Sequence, residues 1–296
     1  DGMSRAILLE DLETVCRQLL RGEEPALPPK TTSYRRWAHL LHAHAQSERA
    51  REELDYWLEQ ARPEDEAIPI DHPGGVYTFG SIDVVTTWLD EHQTARLAER
   101  AARDLRVRTS DLLVAALAAE VQEWTGRDSC TLMLAGHGRE DLFEDVDLSR
   151  TVGWFQVYYP VRFDRGDLGS VKSRLDGVPA NGLGFGVLRY VREDPAVRQR
   201  LAAMPDPQVS FNYLGEYGFD DMPGEGDLFT ISPASYGPTE GAEGVWPYLV
   251  NFVPSVTGRR LRIDVRYSGN LHRRTTVEGL AERVRERLLR MLEVGR

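Results

Sequence analysis

Two residue types are scarce in this sequence, and their scarcity excludes several kinds of protein. The 296 residues contain 2 cysteines, Cys16 and Cys130, which are too few for a disulfide framework or a cysteine-based zinc site. Each lies in an apolar periodic stretch, so we expect both to be buried in a reducing compartment. The only lysines are Lys30 and Lys172, and arginine therefore carries nearly all of the positive charge.

The sequence also lacks an excess of positive charge and any long apolar run. Lys and Arg number 36 against 47 Asp and Glu, and the resulting formal net charge of −11 disfavours binding to nucleic-acid phosphates. No apolar run has the length of a membrane span, and residues 1–5 lack the basic and then apolar character of a signal peptide. We therefore expect a cytoplasmic protein with neither a nucleic acid nor a membrane as its partner.

The hydrophobic content of 41% is enough for a sizeable core, and its periodicity predicts helices. Their ranges are 4–20, 33–61, 94–104, 112–124 and 275–292. We expect the first helix to be amphipathic with Ser4 as its N-cap, and the last to begin with a capping box of Thr275 and Glu278. The fourth is apolar enough to be buried on most sides. The arginines of the last helix are expected to form its solvated face: Arg283, Arg285, Arg287 and Arg290.

Strand patterns lie between these helices, over residues 81–89, 131–134, 154–161, 209–214 and 261–268. The last one alternates apolar and polar residues, which predicts one buried and one wet face. Helices that alternate with strands predict a layered α/β or α+β fold. The stretch 62–80, rich in proline, glycine and acid, is predicted to separate a first lobe from the rest. The acidic, glycine-rich stretch 219–244 is predicted to be a long loop, either mobile or flooring a cavity.

The densest candidate for chemistry is Ala-Gly-His-Gly-Arg-Glu at residues 135–140, followed by Arg-Thr-Val-Gly-Trp-Phe at 150–155 and Tyr-Tyr-Pro-Val at 158–161. Glycines on both sides of His137 allow a sharp turn. His137 fits an active-site wall or a general base, because imidazole titrates near neutrality. It fits equally well a His–Arg cluster that hydrogen-bonds a buried turn, and the sequence leaves both interpretations open.

Three other groups carry weaker signals. Residues 179–186 hold three alternate glycines but lack the strand and the Lys-Ser/Thr of a nucleotide site, so they predict a tight structural turn. Asn212, in the aromatic stretch 211–215, either points into a cavity or satisfies a neighbouring backbone group. His39 and His42 have a metal-binding spacing without a matching third ligand, and a solvated helical face is the favoured interpretation. No serine or cysteine nucleophile motif is present.

Taken in order, the segments 135–140, 150–155, 159–161, 179–186 and 211–215 resemble the motif series of the epimerization domains of nonribosomal peptide synthetases. The opening Asp-Gly-Met-Ser resembles the end of the His-His-x-x-x-Asp-Gly motif of their condensation superfamily, and the resemblance covers essentially the whole chain. It implies two chloramphenicol-acetyltransferase-like lobes in a V around a tunnel. Residues 1–80 would finish the first lobe, whose N-terminal part with the histidine pair would precede residue 1. Residues 81–296 would form the second lobe with a floor loop and a latch.

The resemblance also implies partners and site residues. A peptidyl carrier protein would insert its phosphopantetheine arm into the tunnel with a peptidyl thioester, while the domain itself would bind no cofactor and no metal. Adjacent synthetase domains are further expected partners. The remnant active site would consist of Asp1, Gly2, Ala135, Gly136, His137, Gly138 and Arg139. The tunnel lining would consist of Trp154, Gln156, Tyr158, Asn212 and Tyr213.

Two departures from the family pattern bear on activity. Ala135 stands where active epimerization domains carry Glu before Gly-His-Gly-Arg, and Gln156 stands where they commonly carry Thr. Moving a proton from one face of an α-carbon to the other needs two placed acid–base groups, and alanine supplies neither. Glu140 lies past the turn and is not expected to take over that role.

The pattern is therefore most similar to the inactive X-domain of glycopeptide-antibiotic synthetases, which recruits thiolate-haem cytochrome monooxygenases to a carrier-bound peptide. We expect a docking domain of antibiotic biosynthesis without intrinsic enzyme activity. The alternative is a genuine L-to-D peptidyl epimerization domain, either divergent or carrying an engineered Glu→Ala knock-out at position 135. A condensation domain that forms peptide bonds ranks last, because the Gly-His-Gly-Arg and Phe-Asn-Tyr-Leu-Gly pattern is that of epimerization domains.

Overall fold

The fold is built on one mixed β-sheet against which helices pack. The computed structural model describes residues 1–62, 67–215, 228–229, 237 and 239–293. Its strands are β1 (Ile82–Trp88), β2 (Cys130–Gly136), β3 (Val157–Phe163), β4 (Val209–Phe211), β5 (Val250–Thr257) and β6 (Arg260–Ser268). They lie in the order β1-β6-β5-β4-β2-β3. Strand β4 runs parallel to β2 and to β5, and the other neighbouring pairs are antiparallel.

Helices precede and separate the strands. They are α1 (Gly2–Leu20), α2 (Tyr34–Ala45), α3 (Glu48–Arg51), α4 (Leu54–Leu58), α5 (Glu91–Glu99), α6 (Thr109–Thr125), α7 (Leu168–Asp176), α8 (Leu183–Gly186), α9 (Pro195–Ala202) and α10 (Arg274–Glu293). A π-helical turn, Arg100–Leu105, extends α5, and a 3-10 turn, Pro179–Gly182, precedes α8. Among the described residues, no helix combines the length and the apolar character needed to cross a membrane.

Strand β6 and helix α6 form the centre of the core, as their periodicity predicts. The apolar residues of β6 from Leu261 to Tyr267 are at most 1% exposed, and α6 is buried along most of its length. Gly126 ends α6 in the left-handed conformation with a φ of +68°. Helix α10 packs against both α6 and β1. The expected layered α/β class is confirmed.

A buried carboxylate joins α6 to α10. Glu120 on α6 is 1% exposed and accepts hydrogen bonds from Arg283 and Arg287 of α10. Arg290 lies 3.9 Å from the same carboxylate. Arg283 and Arg290 are 40% and 56% exposed, as expected of a solvated face. The expectation missed that this face also pairs with a buried negative charge, which requires cationic partners.

The predicted starts of the first and last helices are wrong. Asp1 caps α1, because its carboxylate accepts a hydrogen bond from the Ser4 amide at 2.8 Å. Ser4 therefore lies inside the helix, where it is buried. Helix α10 begins at Arg274, which places Thr275 in its first turn rather than at its cap.

Other helix and strand boundaries also differ from those predicted from the sequence. The single helix predicted over 33–61 is three helices, because Ser47 caps a new one. The strand predicted from residue 154 begins at Val157. Strand β5 is missing from the sequence prediction, since Pro254 interrupts its apolar run. The Pro254 carbonyl still takes part in the ladder, because it accepts a hydrogen bond from the Leu214 amide at 2.9 Å.

Helix α1 does not bury its apolar face as an amphipathic helix is expected to do. Ile7 is buried, but Leu8 and Leu12 are 54% and 48% exposed. Cys130 is buried, whereas Cys16 on α1 is half-buried. The expected burial of the two cysteines is therefore right for Cys130 and wrong for Cys16.

Helix α4 and the sheet share one core. Trp57 on α4 is fully buried in the same apolar cluster as the strands, whereas Trp37 on α2 packs in a second cluster with Phe155 and Leu183. A division of the chain near residue 80, and a V with a latch, stay predictions. The predicted floor loop at 219–244 falls largely outside the described residues.

We predict that Glu120→Gln lowers the free energy of unfolding by about 1–3 kcal/mol, because Arg283 and Arg287 lose charge-assisted hydrogen bonds to a buried acceptor. Urea denaturation followed by circular dichroism measures the change. Glu123→Gln is the matched control, since Glu123 is 66% exposed and also pairs with Arg287. It is expected to change stability by less than about 0.5 kcal/mol. Equal effects of the two variants would contradict the role assigned to Glu120.

Candidate functional site

The turn after β2 is shaped by a glycine whose position leaves no space for a side chain. Ala135 and Gly136 end β2, and Gly138 follows with a φ of +68°. A Cβ on Gly138 would lie 1.8 Å from the Phe155 carbonyl oxygen. The backbone of the turn therefore packs directly on the segment 150–155, which the sequence placed among the candidate motifs.

Arg139 anchors this turn from the inside. Its side chain is 5% exposed and donates hydrogen bonds to the carbonyls of Leu148 and Thr151 at 2.7 and 2.9 Å. The same guanidinium forms an ion pair with Asp1 at 3.3 Å and lies 4.0 Å from the centre of the Phe155 ring. A buried guanidinium held this way is structural, so for Arg139 the His–Arg cluster interpretation is the one that fits.

The start of α1 is fastened to the same segment. The Asp1 carboxylate also accepts a hydrogen bond from the Phe155 amide at 3.2 Å. The Ser4 hydroxyl donates to the Gly153 carbonyl at 2.8 Å and accepts from the Gly153 amide at 3.0 Å. Further along α1, Arg150 donates a hydrogen bond to Glu10 at 2.9 Å. These contacts hold α1 against the end of β2.

A cavity of about 470 Å³ lies between α1 and the ends of β2 and β4. Nearly all of the site residues predicted from the sequence line it: Asp1, Gly2, Ala135, Gly136, His137, Trp154, Gln156, Asn212 and Tyr213. Three further lining residues were not predicted: Met3, Arg5 and Leu214. Each is a close chain neighbour of a predicted residue, and that adjacency was the available signal. Gly138 and Arg139 support the cavity from the turn and are not among its lining residues.

Tyr158 lies beside the cavity and not among its lining residues. It is directly opposite Ala135 in the antiparallel pairing of β2 with β3. Its ring packs against Tyr248, with 6.1 Å between ring centres, and burial raises the pKa of its hydroxyl. Burial likewise raises the pKa of Tyr159 to about 12. Both phenols therefore stay protonated at neutral pH and do not act as bases there.

His137 is the imidazole of the cavity wall, and its side chain is 62% exposed. Its Nδ1 accepts a hydrogen bond from the Arg139 amide at 3.0 Å. Its Nε2 lies 3.4 Å from a carboxylate oxygen of Glu140, which is not itself a lining residue. Both ring nitrogens are thus directed at other protein groups.

The polar groups at the cavity leave little acid–base chemistry. The carboxylate of Asp1 is bound to Arg139, and position 135 contributes only a methyl group. Asn212 lines the cavity, while its backbone amide donates to the Phe252 carbonyl at 2.9 Å. The walls are mostly apolar, and among the described lining residues no acid is paired with a base.

The remaining candidate groups do not join the site. The tight turn predicted over 179–186 is formed by Pro179–Gly182 only, and Leu183–Gly186 is helix α8. A Cβ on Gly182 would lie 1.8 Å from the Tyr159 ring. His42 Nε2 lies 3.6 Å from a carboxylate oxygen of Glu193. Within the part of the chain that the structure describes, no three histidine, cysteine or acidic side chains converge to hold a metal ion.

The fold is that of a mixed α/β domain, and its candidate site is the cavity at the ends of the central strands. The profile of the Condensation domain family matches residues 1–295, and the chain belongs to this family. The expected chloramphenicol-acetyltransferase-like fold of the condensation superfamily is thereby confirmed.

Two curated relatives are peptide synthetases. The chain is 36% identical over 302 residues to one of the linear gramicidin synthase proteins of Brevibacillus parabrevis, covering 99% of this chain and 4% of that protein. It is 38% identical over 304 residues to chondramide synthase cmdD of Chondromyces crocatus, covering 99% of this chain and 8% of that protein. The chain therefore spans less than a tenth of either synthetase and corresponds to one domain-sized region of it.

Solved structures share the fold. The epimerization domain from the third module of tyrocidine synthetase B is 31% identical with a TM-score of 0.88, over 99% of this chain and 66% of that one. The X-domain from teicoplanin biosynthesis is 20% identical with a TM-score of 0.70, over 100% of this chain and 68% of that one. The second likeness shows the fold alone. The chain is therefore more similar to the epimerization domain than to the X-domain.

We predict that Gly138→Ala destabilises the protein more than Gly126→Ala. Both glycines have a φ of +68°, but nothing lies within 4 Å of a Cβ on Gly126. The control variant Gly126→Ala is therefore destabilised only by its left-handed backbone, by about 1–2 kcal/mol. Gly138→Ala is destabilised by a further ~1–3 kcal/mol, because the Phe155 carbonyl must be displaced. Urea denaturation of both variants measures the difference, and equal losses of stability would refute the close approach.

Proposed function

We propose that this domain is an epimerization-type domain of a nonribosomal peptide synthetase that binds a carrier-bound peptide without exchanging its α-proton. We further propose that it serves as a docking platform, which brings a haem-thiolate cytochrome monooxygenase to that peptide in antibiotic biosynthesis. The observation that carries the proposal is Ala135 on the wall of the cavity. We place the whole assembly in the cytoplasm.

The chemistry of the lining residues supports the absence of epimerization. Inverting an α-carbon needs one group that removes a proton and a second that delivers one to the opposite face. Ala135 offers neither, the Asp1 carboxylate is bound to Arg139, and both nitrogens of His137 face other protein groups. Loss of one proton-transfer group costs about 10²–10⁴ in rate.

The supporting structure around the cavity favours a retained binding role. The volume of about 470 Å³ lies in the range of small-molecule sites, and its walls are mostly apolar with few polar groups. Such a cavity suits the phosphopantetheine arm of a carrier protein with the first residues of its peptide. The arm and the peptide belong to the carrier, so the domain needs no cofactor of its own.

The proposed partner, a haem-thiolate monooxygenase, is inferred from the structural similarity of this chain to X-domains. A solved complex pairs the teicoplanin X-domain with OxyB, and that X-domain chain shares the present fold at 19% identity with a TM-score of 0.67. We carry the docking role over to this chain as part of the proposal. Carrier protein and adjacent synthetase domains are the other proposed partners.

A second candidate function is peptidyl epimerization itself, from L to D at the thioester α-carbon. The greater similarity to the tyrocidine synthetase epimerization domain, at 31% identity against 20% for the X-domain, favours it. In that case Ala135 would be either a natural divergence or a knock-out of the family glutamate.

The variant Ala135→Glu separates the two candidates. We predict that deuterium entry at the peptide α-carbon in this variant stays at the level of a control without the domain. A cavity retained only for binding is not expected to have kept a second proton-transfer group aligned with position 135. Mass spectrometry of a carrier-bound peptide in deuterated water measures the exchange. Ala135→Gln is the matched control, similar in size and unable to accept the proton. A rise of about 10²–10⁴ in Ala135→Glu alone would establish the epimerase.

Partner binding is tested with the full-length protein. We predict that at least one purified haem-thiolate monooxygenase from the same biosynthetic gene cluster binds it, with a micromolar or tighter dissociation constant by isothermal titration calorimetry. The titration is repeated in the presence of a carrier protein loaded with peptide. This tests whether the domain binds the carrier protein and the monooxygenase at the same time. Failure of every such monooxygenase to bind would overturn the docking role and leave the second candidate.

A further inference from the structure

The His137 side chain is 62% exposed, but each of its two ring nitrogens faces a protein group. Its Nδ1 accepts from the Arg139 amide at 3.0 Å, so in the neutral ring the proton resides on Nε2. Glu140 Oε1 lies 3.4 Å from that nitrogen, is buried and has no hydrogen bond of its own. A buried carboxylate oxygen without a donor is costly, and Nε2–H is the donor that faces it.

Glu140 is itself held by a distant turn. Its side chain is 12% exposed, and its Oε2 accepts a hydrogen bond from Asn181 Nδ2 at 2.6 Å. Asn181 has a φ of +47°, in the left-handed region that asparagine tolerates better than most residues. Its carbonyl oxygen lies 3.2 Å from the position of a Cβ on Gly136. The turn Pro179–Gly182 therefore touches both the end of β2 and the carboxylate behind it.

The position of the ring matters because the ring borders two cavities. His137 and Met3 line both the cavity of about 470 Å³ and a second cavity of about 420 Å³. The second cavity is also lined by Asp141 and Ser149. A ring that left its contacts with Arg139 and Glu140 would therefore change the shape of both cavities.

We propose that Glu140 and Asn181 are positioning residues that hold His137 in one tautomer and one orientation as a fixed wall of the peptide cavity. Asn181 orients the Glu140 carboxylate, Glu140 Oε1 faces Nε2–H at 3.4 Å, and the Arg139 amide donates to Nδ1. Both nitrogens are then committed to the protein, and the ring shapes the cavity without taking part in proton transfer. The assignment of the cavity to a peptidyl thioester rests on the proposed function, whereas the state of the ring does not.

Nuclear magnetic resonance of the full-length protein with 15N-labelled histidine tests the state of the ring directly. In the wild type we expect an unprotonated Nδ1 and an Nε2–H proton protected from exchange with water. Glu140→Met removes the acceptor and is expected to abolish that protection, while Glu140→Gln keeps an acceptor and rescues it. Asn181→Gly, which retains the backbone conformation, is expected to weaken it. A protonated Nδ1 in the wild type, or an equally protected Nε2–H in Glu140→Met, would overturn the proposal.

Affinity for a peptidyl thioester of N-acetylcysteamine tests the consequence for the cavity. We expect the dissociation constant to rise about three- to tenfold in Glu140→Met and in Asn181→Gly, the effect of losing one hydrogen bond. Glu144→Met, at an exposed acidic position in the same loop, is the matched control and is expected to stay within about twofold. Unchanged affinity in both test variants would refute a positioning role. A wild type that does not bind the thioester would count against the proposed function, and the resonance measurement would still decide the state of the ring.

Discussion

The buried guanidinium of Arg139 is the constraint on which the rest of the site depends. A cation that is 5% exposed must have its charge and its donors satisfied inside the protein, or it destabilises the fold by several kcal/mol. Asp1 supplies the opposite charge, and the carbonyls of Leu148 and Thr151 accept hydrogen bonds from Nη1 of Arg139. The face of Phe155 covers the guanidinium plane. One side chain thus joins the start of α1, the turn after β2 and the segment 148–155.

Because these contacts determine the shape of the cavity, its shape does not depend on the acid–base groups within it. The walls at Gly136, His137 and Trp154 follow from the packing of the turn on the segment 150–155, and none of that packing needs an acid at position 135. Under the proposed function, Ala135 stands in place of a proton-transfer glutamate, and the anchors do not depend on that substitution. A domain of this kind can lose catalysis and keep a site of nearly unchanged shape for binding.

The elements that could be predicted from the sequence are those with a clear hydrophobic periodicity of their own. The apolar helix α6 and the alternating strand β6 are examples, because periodicity alone determines which side is buried. Strand β5 could not be predicted, since Pro254 breaks the local pattern and only the neighbouring strands make it tolerable. The exposed leucines of α1 were also missed, because a pattern shows which residues are apolar and not what covers them.

The site also has a part that could be predicted from the sequence and a part that could not. The resemblance of the motif series to that of epimerization domains was enough to predict most of the lining residues, from Asp1 to Tyr213. The contact of Asn181 with Glu140 joins a turn to a loop 41 residues away. Neither residue has a local pattern that points to the other, so their common support of His137 becomes visible only in three dimensions.

The most direct test of the central claim is deuterium exchange by the wild-type, full-length protein. A peptidyl thioester on the cognate carrier protein is incubated in deuterated water, and deuterium at the terminal α-carbon is followed by mass spectrometry against a control without the domain. The account predicts exchange no faster than the control, because Ala135 leaves the cavity without a paired acid and base. Exchange well above the control would contradict it and would identify a working epimerase with a different proton-transfer group.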